Sequence, residues 1–503
     1  MYGSIFLAAT LLLSPLQTHI DKLLHAPAFS RATIGVAVYD IDRHRMVYAH
    51  NANQYFLAAS TTKLLTEGAA LATLGPDYRF HTNVYRTGPI GADRTLHGDI
   101  VLRASGDPNL SGRLRSDGTL AYENTDHSYD GDAATKAVPG DPLYVLDLLA
   151  KQISAHGIRA VTGRVIVDDS LYGNNTPEAG TGAVISPIMV NDNIVDVTVA
   201  PAKKAGDAPS FSVSPKTAYT TFVNHAQTCS DNRASIALQD SEMATGAVTV
   251  TISGCIPVHS QPVLYAYDVA SPRRFAEMAL TDVLARDGIA IEQSASDAPP
   301  NPQWLAPFYS ETNVVATHES PPLREDVKVT LKVSDNLHAD TMPYIVGDGS
   351  AEKGLARERE WLQRSHLDAA SVVQNDGLGG SAYITPSFMV LYLEFVRKQP
   401  FFNDIAAGLP VLGRDGTLWD VLRGSPAAGH AIGKTGTWNG HDALNSRDLV
   451  TSKGLAGYVT TRRGRHLAYC FYVNNFTVRS GNAALQAADL LGSLANAAYL
   501  YGG

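Results

Sequence analysis

Three short motifs that together could carry acyl transfer occur in order along the chain: Ser60-Thr61-Thr62-Lys63, Ser334-Asp335-Asn336 and Lys434-Thr435-Gly436. A serine hydroxyl is a weak nucleophile at neutral pH, so a base must take its proton as the oxygen attacks a carbonyl carbon. Ser60 and Lys63 are three positions apart, which on a helix puts both side chains on one face. Lys63 is therefore the candidate base for a nucleophilic Ser60.

The second motif is predicted to support that pair. Lys63 can accept a proton only when it is neutral, and burial together with the charge of Lys434 would lower its pKa toward the working range. Ser334 and Asn336 are expected to complete the proton network and to bind the backbone of a peptide substrate. Asp335 is expected at the substrate or, alternatively, in backbone hydrogen bonds that position the loop.

The third motif suits an anion. Lys434 and the hydroxyls of Thr435 and Thr437 would bind a group such as the C-terminal carboxylate of a substrate. Gly436 would let a strand approach that substrate closely, because no side chain stands in the way. Each motif alone has a simpler interpretation, since Ser60 could be a helix cap and a lone lysine is usually solvated. Their joint order favours an active site.

Local patterns place the first motif at the start of a helix. Residues 32–48 alternate apolar side chains around a polar turn, which predicts an antiparallel hairpin. The run 61–74 is rich in leucine and alanine and stops at Gly75-Pro76, a common helix terminator. Ser60 would then lie at a helix N-terminus, where its backbone N–H is free to bind an oxyanion.

The third motif is predicted to lie on a strand. It precedes two apolar runs, 454–461 and 466–475, which are joined by a turn and read as a hairpin. The segment 481–499 carries leucines at helical spacing and is expected to pack on the resulting sheet.

With these motifs the chain resembles the low-molecular-weight class C penicillin-binding proteins, the D-alanyl-D-alanine carboxypeptidase/endopeptidase group called peptidase family S13. A large block separates Ser60 from Ser334, whereas only 100 positions separate Ser334 from Lys434. Class A β-lactamases lack that block, and the Glu-x-x-Leu-Asn segment of those enzymes does not occur between Ser334 and Lys434. Residues 105–110, 163–170 and 191–201 also resemble the S13 pattern, whereas 376–381 (DGLGGS) departs from it.

The resemblance implies an α+β fold. A β-lactamase/transpeptidase-like domain, an antiparallel sheet flanked by helices, would comprise residues 25–80 and 305–503. Residues 81–304 would form a large, mainly β insertion of nested modules. Residues 1–20 are expected to be a signal segment, because 5–13 has the length of its apolar core, although the basic residues that normally precede such a core are missing. A buried N-terminal helix is the alternative.

The resemblance also implies a function. It indicates a serine D-alanyl-D-alanine carboxypeptidase that acts on peptidoglycan stem peptides through an acyl-enzyme on Ser60 and is acylated by β-lactams, with endopeptidase action on cross-links as an addition. The backbone N–H groups of Ser60 and Thr437 would form the oxyanion hole. The alternatives are a β-lactamase or esterase of the same superfamily and a catalytically silent cell-wall-binding protein.

Composition limits the partners and the compartment. The net charge of −9 with 18% charged residues leaves no basic face for nucleic acid, and no run of 18 apolar residues predicts a stable membrane span. The expected signal segment and the peptidoglycan substrate implied by the resemblance indicate a periplasmic or otherwise extracytoplasmic protein. In an oxidising compartment Cys229 and Cys255 could pair, whereas Cys470 lies in a predicted strand and is expected to be a buried thiol.

No metal or cofactor is expected, because the cysteines and histidines lack ligand spacing. The acidic, glycine-rich segment 112–140 is predicted to be a long, partly mobile surface loop. Asp126, Asp130 and Asp132 within it could bind calcium, but a solvated acidic loop is the favoured interpretation.

Overall fold

The computed structural model describes residues 14–173, 175–230, 233–243, 246–296, 298, 300–478 and 481–503. The apolar core of the expected signal segment, residues 5–13, lies outside the described residues. Among the described residues, no helix is both long and apolar enough to cross a membrane.

The helices are α1 (Pro15–Leu24), α2 (Lys63–Leu74), α3 (Tyr144–Ala155), α4 (Pro272–Arg286), α5 (Pro302–Leu305), α6 (Leu323–Val333), α7 (Asn336–Val346), α8 (Ala351–Arg364), α9 (Pro386–Arg397), α10 (Phe402–Gly408) and α11 (Ala483–Tyr501). The strands are β1 (Thr33–Asp40), β2 (Arg45–His50), β3 (Phe56–Leu57), β4 (His81–Arg86), β5 (Thr95–Leu96), β6 (Ile100–Arg103), β7 (Ala160–Val161), β8 (Val165–Asp168), β9 (Ile194–Ala200), β10 (Ser210–Ser214), β11 (Thr220–Asn224), β12 (Gln227–Cys229), β13 (Ala237–Glu242), β14 (Val248–Ser253), β15 (Cys255–Pro257), β16 (Val263–Asp268), β17 (Ala290–Ile291), β18 (Val314–Glu319), β19 (Val372–Val373), β20 (Tyr383–Ile384), β21 (Ala431–Asp442), β22 (Arg447–Thr460) and β23 (His466–Thr477).

The domain that carries the three motifs, named the catalytic domain after the acyl transfer that they predict, is organised around a five-stranded antiparallel sheet in the order β2-β1-β23-β22-β21. Alternation along β1 directs Val36 and Val38 to a core that includes side chains of α1 and α11. The intervening Ala37 and Tyr39 face the opposite core, which includes side chains of α2, α6 and α9. The sheet is therefore covered by helices on both faces, and the predicted hairpins, motif strand and closing helix are all present.

The first described helix belongs to this domain. Ser14 caps α1, and Leu16, Ile20 and Leu24 are buried in the same core as α11. Residues 15–20, which we assigned to the signal segment, are therefore packed against the catalytic domain in the structure. The packed domain includes residues from 15 onward in the structure, before the expected boundary at 25.

The inserted region is rich in short sheets, as predicted, with strands at 100–103, 165–168, 194–200 and 248–253. It also contains α3 and α4, which pack in its largest core and were not predicted. Strand β18 pairs with β4 inside this region. The chain thus returns to the catalytic domain after residue 319, later than the expected boundary at 305.

Cys229 on β12 is joined to Cys255 on β15 by a disulfide, and Cys470 is a buried free thiol on β23. Burial raises the pKa of the Cys470 thiol well above its usual value, so this side chain behaves as a core residue and not as a nucleophile.

This arrangement predicts the behaviour of all three cysteines in protein purified from its native host. Non-reducing peptide mapping should recover the peptides of Cys229 and Cys255 linked, and Cys470 should react with an alkylating reagent only after unfolding. Replacing both linked residues by serine should lower the free energy of unfolding by about 3 kcal/mol. Free thiols at 229 and 255 in the native protein would contradict the prediction.

Candidate active site

Ser60 lies on a sharp turn between the sheet and α2. It belongs to a short 3₁₀ turn, Ala59–Thr62, which runs directly into the helix. Ala59 has a φ of 45°, a left-handed conformation that side chains other than glycine rarely adopt. The turn leaves the Ser60 side chain partly exposed in a cleft while Thr61, Thr62 and Lys63 are buried. The predicted nucleophile is therefore accessible.

The Lys63 amine connects the first motif to the second. Its Nζ lies 3.3 Å from Ser60 Oγ and 3.3 Å from Ser334 Oγ. It also donates hydrogen bonds to the backbone oxygen of Ser334 at 2.6 Å and to Asn336 Oδ1 at 2.5 Å. A neutral amine has two N–H groups and one lone pair. The two short contacts use both N–H groups, so the lone pair is available to a serine hydroxyl.

Burial lowers the pKa of Lys63 to about 8, although the carboxylates of Asp335 and Glu178 oppose the shift. The predicted shift and one of its two predicted causes, burial, are thus present, whereas the charge of Lys434 is not among its main causes. A pKa near neutrality leaves a useful fraction of the amine unprotonated, as a general base requires.

Ser334 occupies the corner between α6 and α7 in a left-handed conformation, with φ 68° and ψ 33°. Its hydroxyl accepts a hydrogen bond from Lys434 Nζ at 2.7 Å. Ser334 Oγ therefore links two lysines, which is the geometry that a proton relay needs. Asn336 begins α7 and lines the same cleft.

Lys434 does not reach the cleft. Its side chain is fully buried on β21, and Nζ donates to Ser334 Oγ and to the backbone oxygen of Thr435 at 2.9 Å. Burial lowers its pKa well below the usual value, and the charges of Lys63 and Lys453 lower it further. We predicted that Lys434 would bind a substrate anion, whereas the structure buries its amine against the Ser334 hydroxyl, away from the cleft.

Gly436 brings β21 against the turn that carries Ser60. A Cβ at this position would lie 2.7 Å from the oxygen of Ala58 and 3.2 Å from the backbone nitrogen of Ser60. Thr437 follows on the strand and lines the cleft, and Thr435 hydrogen-bonds to Thr417 at 2.6 Å. Only glycine permits this approach, which sets the strand beside the backbone nitrogen of the nucleophile.

Asp335 is not a substrate-binding residue in the structure. Its carboxylate is fully buried, accepts the backbone N–H of His338 at 3.0 Å as the cap of α7, and lies 3.8 Å from Arg113. Arg113 also contacts Asp126 at 2.9 Å and Asp192 at 2.6 Å. The prediction that Asp335 contacts substrate is therefore corrected, and its alternative as a positioning residue fits the contacts.

The segment 112–140 is irregular, as predicted, but only part of it is solvated: residues 115–118 and 130–133 are exposed, whereas other side chains are buried. Arg113, Asp126 and His127 in this segment are essentially unexposed. Although burial disfavours its charged form, contacts with Asp196, Asp126 and Asp192 raise the pKa of His127 well above its usual value. The sequence pattern does not reveal the buried part of the segment, because Asp126 meets its cationic partners, Arg113 and His127, only in the folded chain.

The three carboxylates considered for calcium do not converge. Asp126 is bound to Arg113, Asp130 accepts the backbone N–H of Ala266 at 3.0 Å, and Asp132 accepts that of Ala134 at 2.7 Å. Two other buried groups are compact enough to be metal ligands: Asp126, His127 and Asp192, and Asp192, Asp335 and His338. In both groups the Arg113 guanidinium already contacts the carboxylates and supplies positive charge.

The motifs meet in a cleft of about 580 Å³ that sequence reasoning only partly described. Tyr129, Trp419, Trp438 and Lys453 line it and were not predicted. Tyr129 donates its hydroxyl to the backbone oxygen of Ser334 at 2.6 Å. No sequence signal marks Tyr129, because it lies in an irregular segment, whereas Trp438 lies only two positions after the third motif and could have been found from it.

A family model described as the D-Ala-D-Ala carboxypeptidase 3 (S13) family matches residues 16–495. The chain belongs to this family. The resemblance to S13 that the motifs indicated is confirmed, together with the α+β fold with a β-rich inserted region.

Curated relatives and solved structures agree with this membership. The chain is 28% identical to the D-alanyl-D-alanine carboxypeptidase of Actinomadura sp. (strain R39), over 95% of this chain and 84% of the relative. It is 21% identical to the D-alanyl-D-alanine carboxypeptidase DacB of Haemophilus influenzae, over 89% and 86% of the two chains. The crystal structure of penicillin binding protein 4 (dacB) from Haemophilus influenzae has the same fold, with a TM-score of 0.70, 19% identity and coverage of 96% of this chain and 99% of that chain.

The close approach at Gly436 predicts a sensitive position. Gly436→Ala should slow acylation by a β-lactam about 100-fold or more, because the new methyl group would separate β21 from the Ser60 turn and disturb the oxyanion donors. Gly440→Ala on the same strand is the control, since its Cβ would meet only the side chains of Thr451 and Leu449. Stopped-flow measurement of acylation gives both rates, and an unimpaired Gly436→Ala variant would contradict the proposed packing.

Proposed function

We propose that this protein is an extracytoplasmic serine D-alanyl-D-alanine carboxypeptidase that acts on peptidoglycan stem peptides. The observation that carries the proposal is the Lys63 amine, which contacts Ser60 Oγ, Ser334 Oγ and Asn336 Oδ1 at the base of an open cleft. Family membership supplies the reaction class, and the chain covers most of the length of the curated carboxypeptidases that it resembles.

The acylation step follows from these contacts. Neutral Lys63 takes the hydroxyl proton of Ser60 as Oγ attacks the carbonyl carbon that precedes the terminal D-alanine. The backbone N–H groups of Ser60 and Thr437 would stabilise the oxyanion. When the tetrahedral intermediate collapses, the C–N bond breaks and the amine of the released D-alanine takes the proton that Lys63 received from Ser60. Ser334 can relay this proton, because its hydroxyl contacts both lysines, and Lys63 becomes neutral again.

Deacylation reverses the roles with water as the nucleophile. Lys63 accepts a proton from the water that attacks the ester, and Ser60 recovers its proton as the C–O bond breaks. A β-lactam would enter the same cleft and acylate Ser60 by ring opening. Its amine stays tethered to the acyl group and does not leave as D-alanine does, which favours a long-lived adduct.

The proposed compartment is supported by one structural observation and by the proposed substrate itself. The disulfide between Cys229 and Cys255 is of a kind that persists outside reducing compartments, and the proposed substrate lies outside the cytoplasm. Endopeptidase action on cross-links uses the same serine and differs only in the amine that leaves.

Incubation with benzylpenicillin followed by intact-mass analysis tests the proposal. We expect a stable adduct of one penicillin mass that maps to the Ser60 peptide and is absent from Ser60→Ala. Loss of the Ser60 hydroxyl should cost at most about 1 kcal/mol of stability, so the variant should remain folded. The chain offers Ser365→Ala as a matched control that should still be acylated.

Each alternative predicts a different result. Rapid hydrolysis of penicillin without accumulation of adduct would indicate a β-lactamase or esterase, and an adduct on another serine would contradict the assignment of Ser60. No adduct at all would favour a catalytically silent wall-binding protein. Release of D-alanine from a pentapeptide, compared with cleavage of a cross-linked dimer, would separate carboxypeptidase from endopeptidase action.

A further inference from the structure

A peptide that ends in a free carboxylate brings a negative charge into the cleft. The carboxylate loses bound water there, and the protein must offset that cost with its own charges or hydrogen bonds. Among the described residues three lysines surround the reacting groups, and of these only Lys453 lines the cleft. Lys63 and Lys434 are 0% exposed, and their amines are directed at the serines and the Asn336 amide. Lys453 is half-buried and lines the cleft.

Lys453 is held at the substrate side of the third motif by strand pairing. It lies on β22 directly opposite Thr437 on β21. Its Nζ donates a hydrogen bond to Thr437 Oγ1 at 2.7 Å. This contact uses one of the three N–H donors of the ammonium group, and the others remain available to a ligand.

The charge of Lys453 is not neutralised by a direct ion pair. Within the part of the chain that the structure describes, no carboxylate oxygen lies within 4.0 Å of its Nζ. Burial lowers its pKa to about 8, and the more distant carboxylate of Asp420 only partly opposes the shift. A carboxylate bound beside Nζ would reverse this shift, so an anionic ligand and the protonated lysine stabilise each other.

We propose that Lys453, together with the hydroxyl of Thr437, binds the C-terminal carboxylate of the substrate and the corresponding carboxylate of β-lactams. Lys434 then has a different role, because its amine holds the Ser334 hydroxyl and does not reach the cleft. The inference rests on the proposed carboxypeptidase function and names the residue that gives the site its preference for a free carboxyl terminus.

The test compares two ligands that differ only in this charge, benzylpenicillin and its methyl ester. The second-order acylation rate constant of Lys453→Met for benzylpenicillin should fall about 10- to 100-fold relative to the unaltered protein, the range expected for loss of a hydrogen bond between charged groups. The constant for the methyl ester should change by less than about twofold. Lys453→Arg should recover part of the loss, because it restores the charge.

Peptides that end in D-Ala-D-Ala or in its C-terminal amide provide a second comparison. The loss in Lys453→Met should appear mainly as a raised KM for the free acid. Lys151→Met, which removes an exposed lysine on α3, is the matched control and should leave all constants unchanged. If Lys453→Met is unstable, Lys453→Gln keeps a polar group at the site and is measured in the same way.

The outcomes separate this inference from the function on which it rests. Equal losses for acid and ester, or no loss for either, would overturn the role of Lys453 while Ser60 acylation of the unaltered protein stands. If the unaltered protein forms no Ser60 adduct with either ligand, the proposed function fails, and with it the inference. A selective loss for the acid, with recovery in Lys453→Arg, supports both.

Discussion

The site depends on one constraint, the burial of the Lys63 amine away from water. A buried ammonium is costly, so the group loses its proton more readily than a lysine at the surface, and its pKa falls to about 8. Its two short hydrogen bonds go to the backbone oxygen of Ser334 and to Asn336 Oδ1. These bonds fix the corner between α6 and α7 against α2. The same amine that serves as base therefore aligns the second motif with Ser60.

The inserted region supports this corner from behind. Arg113 lies in an irregular segment of the insertion, yet its guanidinium binds Asp126 and Asp192 and approaches Asp335. Breaking a buried pair by removing one partner is strongly destabilising, because the remaining charge stays buried without compensation. Tyr129 adds a hydrogen bond to the backbone oxygen of Ser334. The insertion is thus part of the active site's support, although the three motifs all lie in the catalytic domain.

Two kinds of feature could be predicted from the sequence: reactive residues at a fixed spacing, and helices and strands with a regular apolar period. Ser60 and Lys63 share a helical turn, and the strands of the central sheet alternate, so both could be read from local pattern. Contacts between distant segments could not. In sequence Asp126 resembled an acid of a solvated loop, whereas the structure buries it against Arg113 and His127. The anion-binding role that we predicted for Lys434 is now proposed for Lys453, because Lys453 is the lysine that lines the cleft. Its position there follows from the pairing of β22 with β21, which the sequence alone does not show.

The most direct test of a neutral Lys63 base replaces this residue by γ-thialysine, whose sulfur withdraws electrons and makes the amine less basic. Because only the unprotonated amine can accept the Ser60 proton, the acylation rate of the natural protein should rise with pH and level off above about 8. The substitution should move the midpoint of that profile to lower pH. A midpoint that does not move, or a rate that falls as Lys63 loses its proton, would contradict the account.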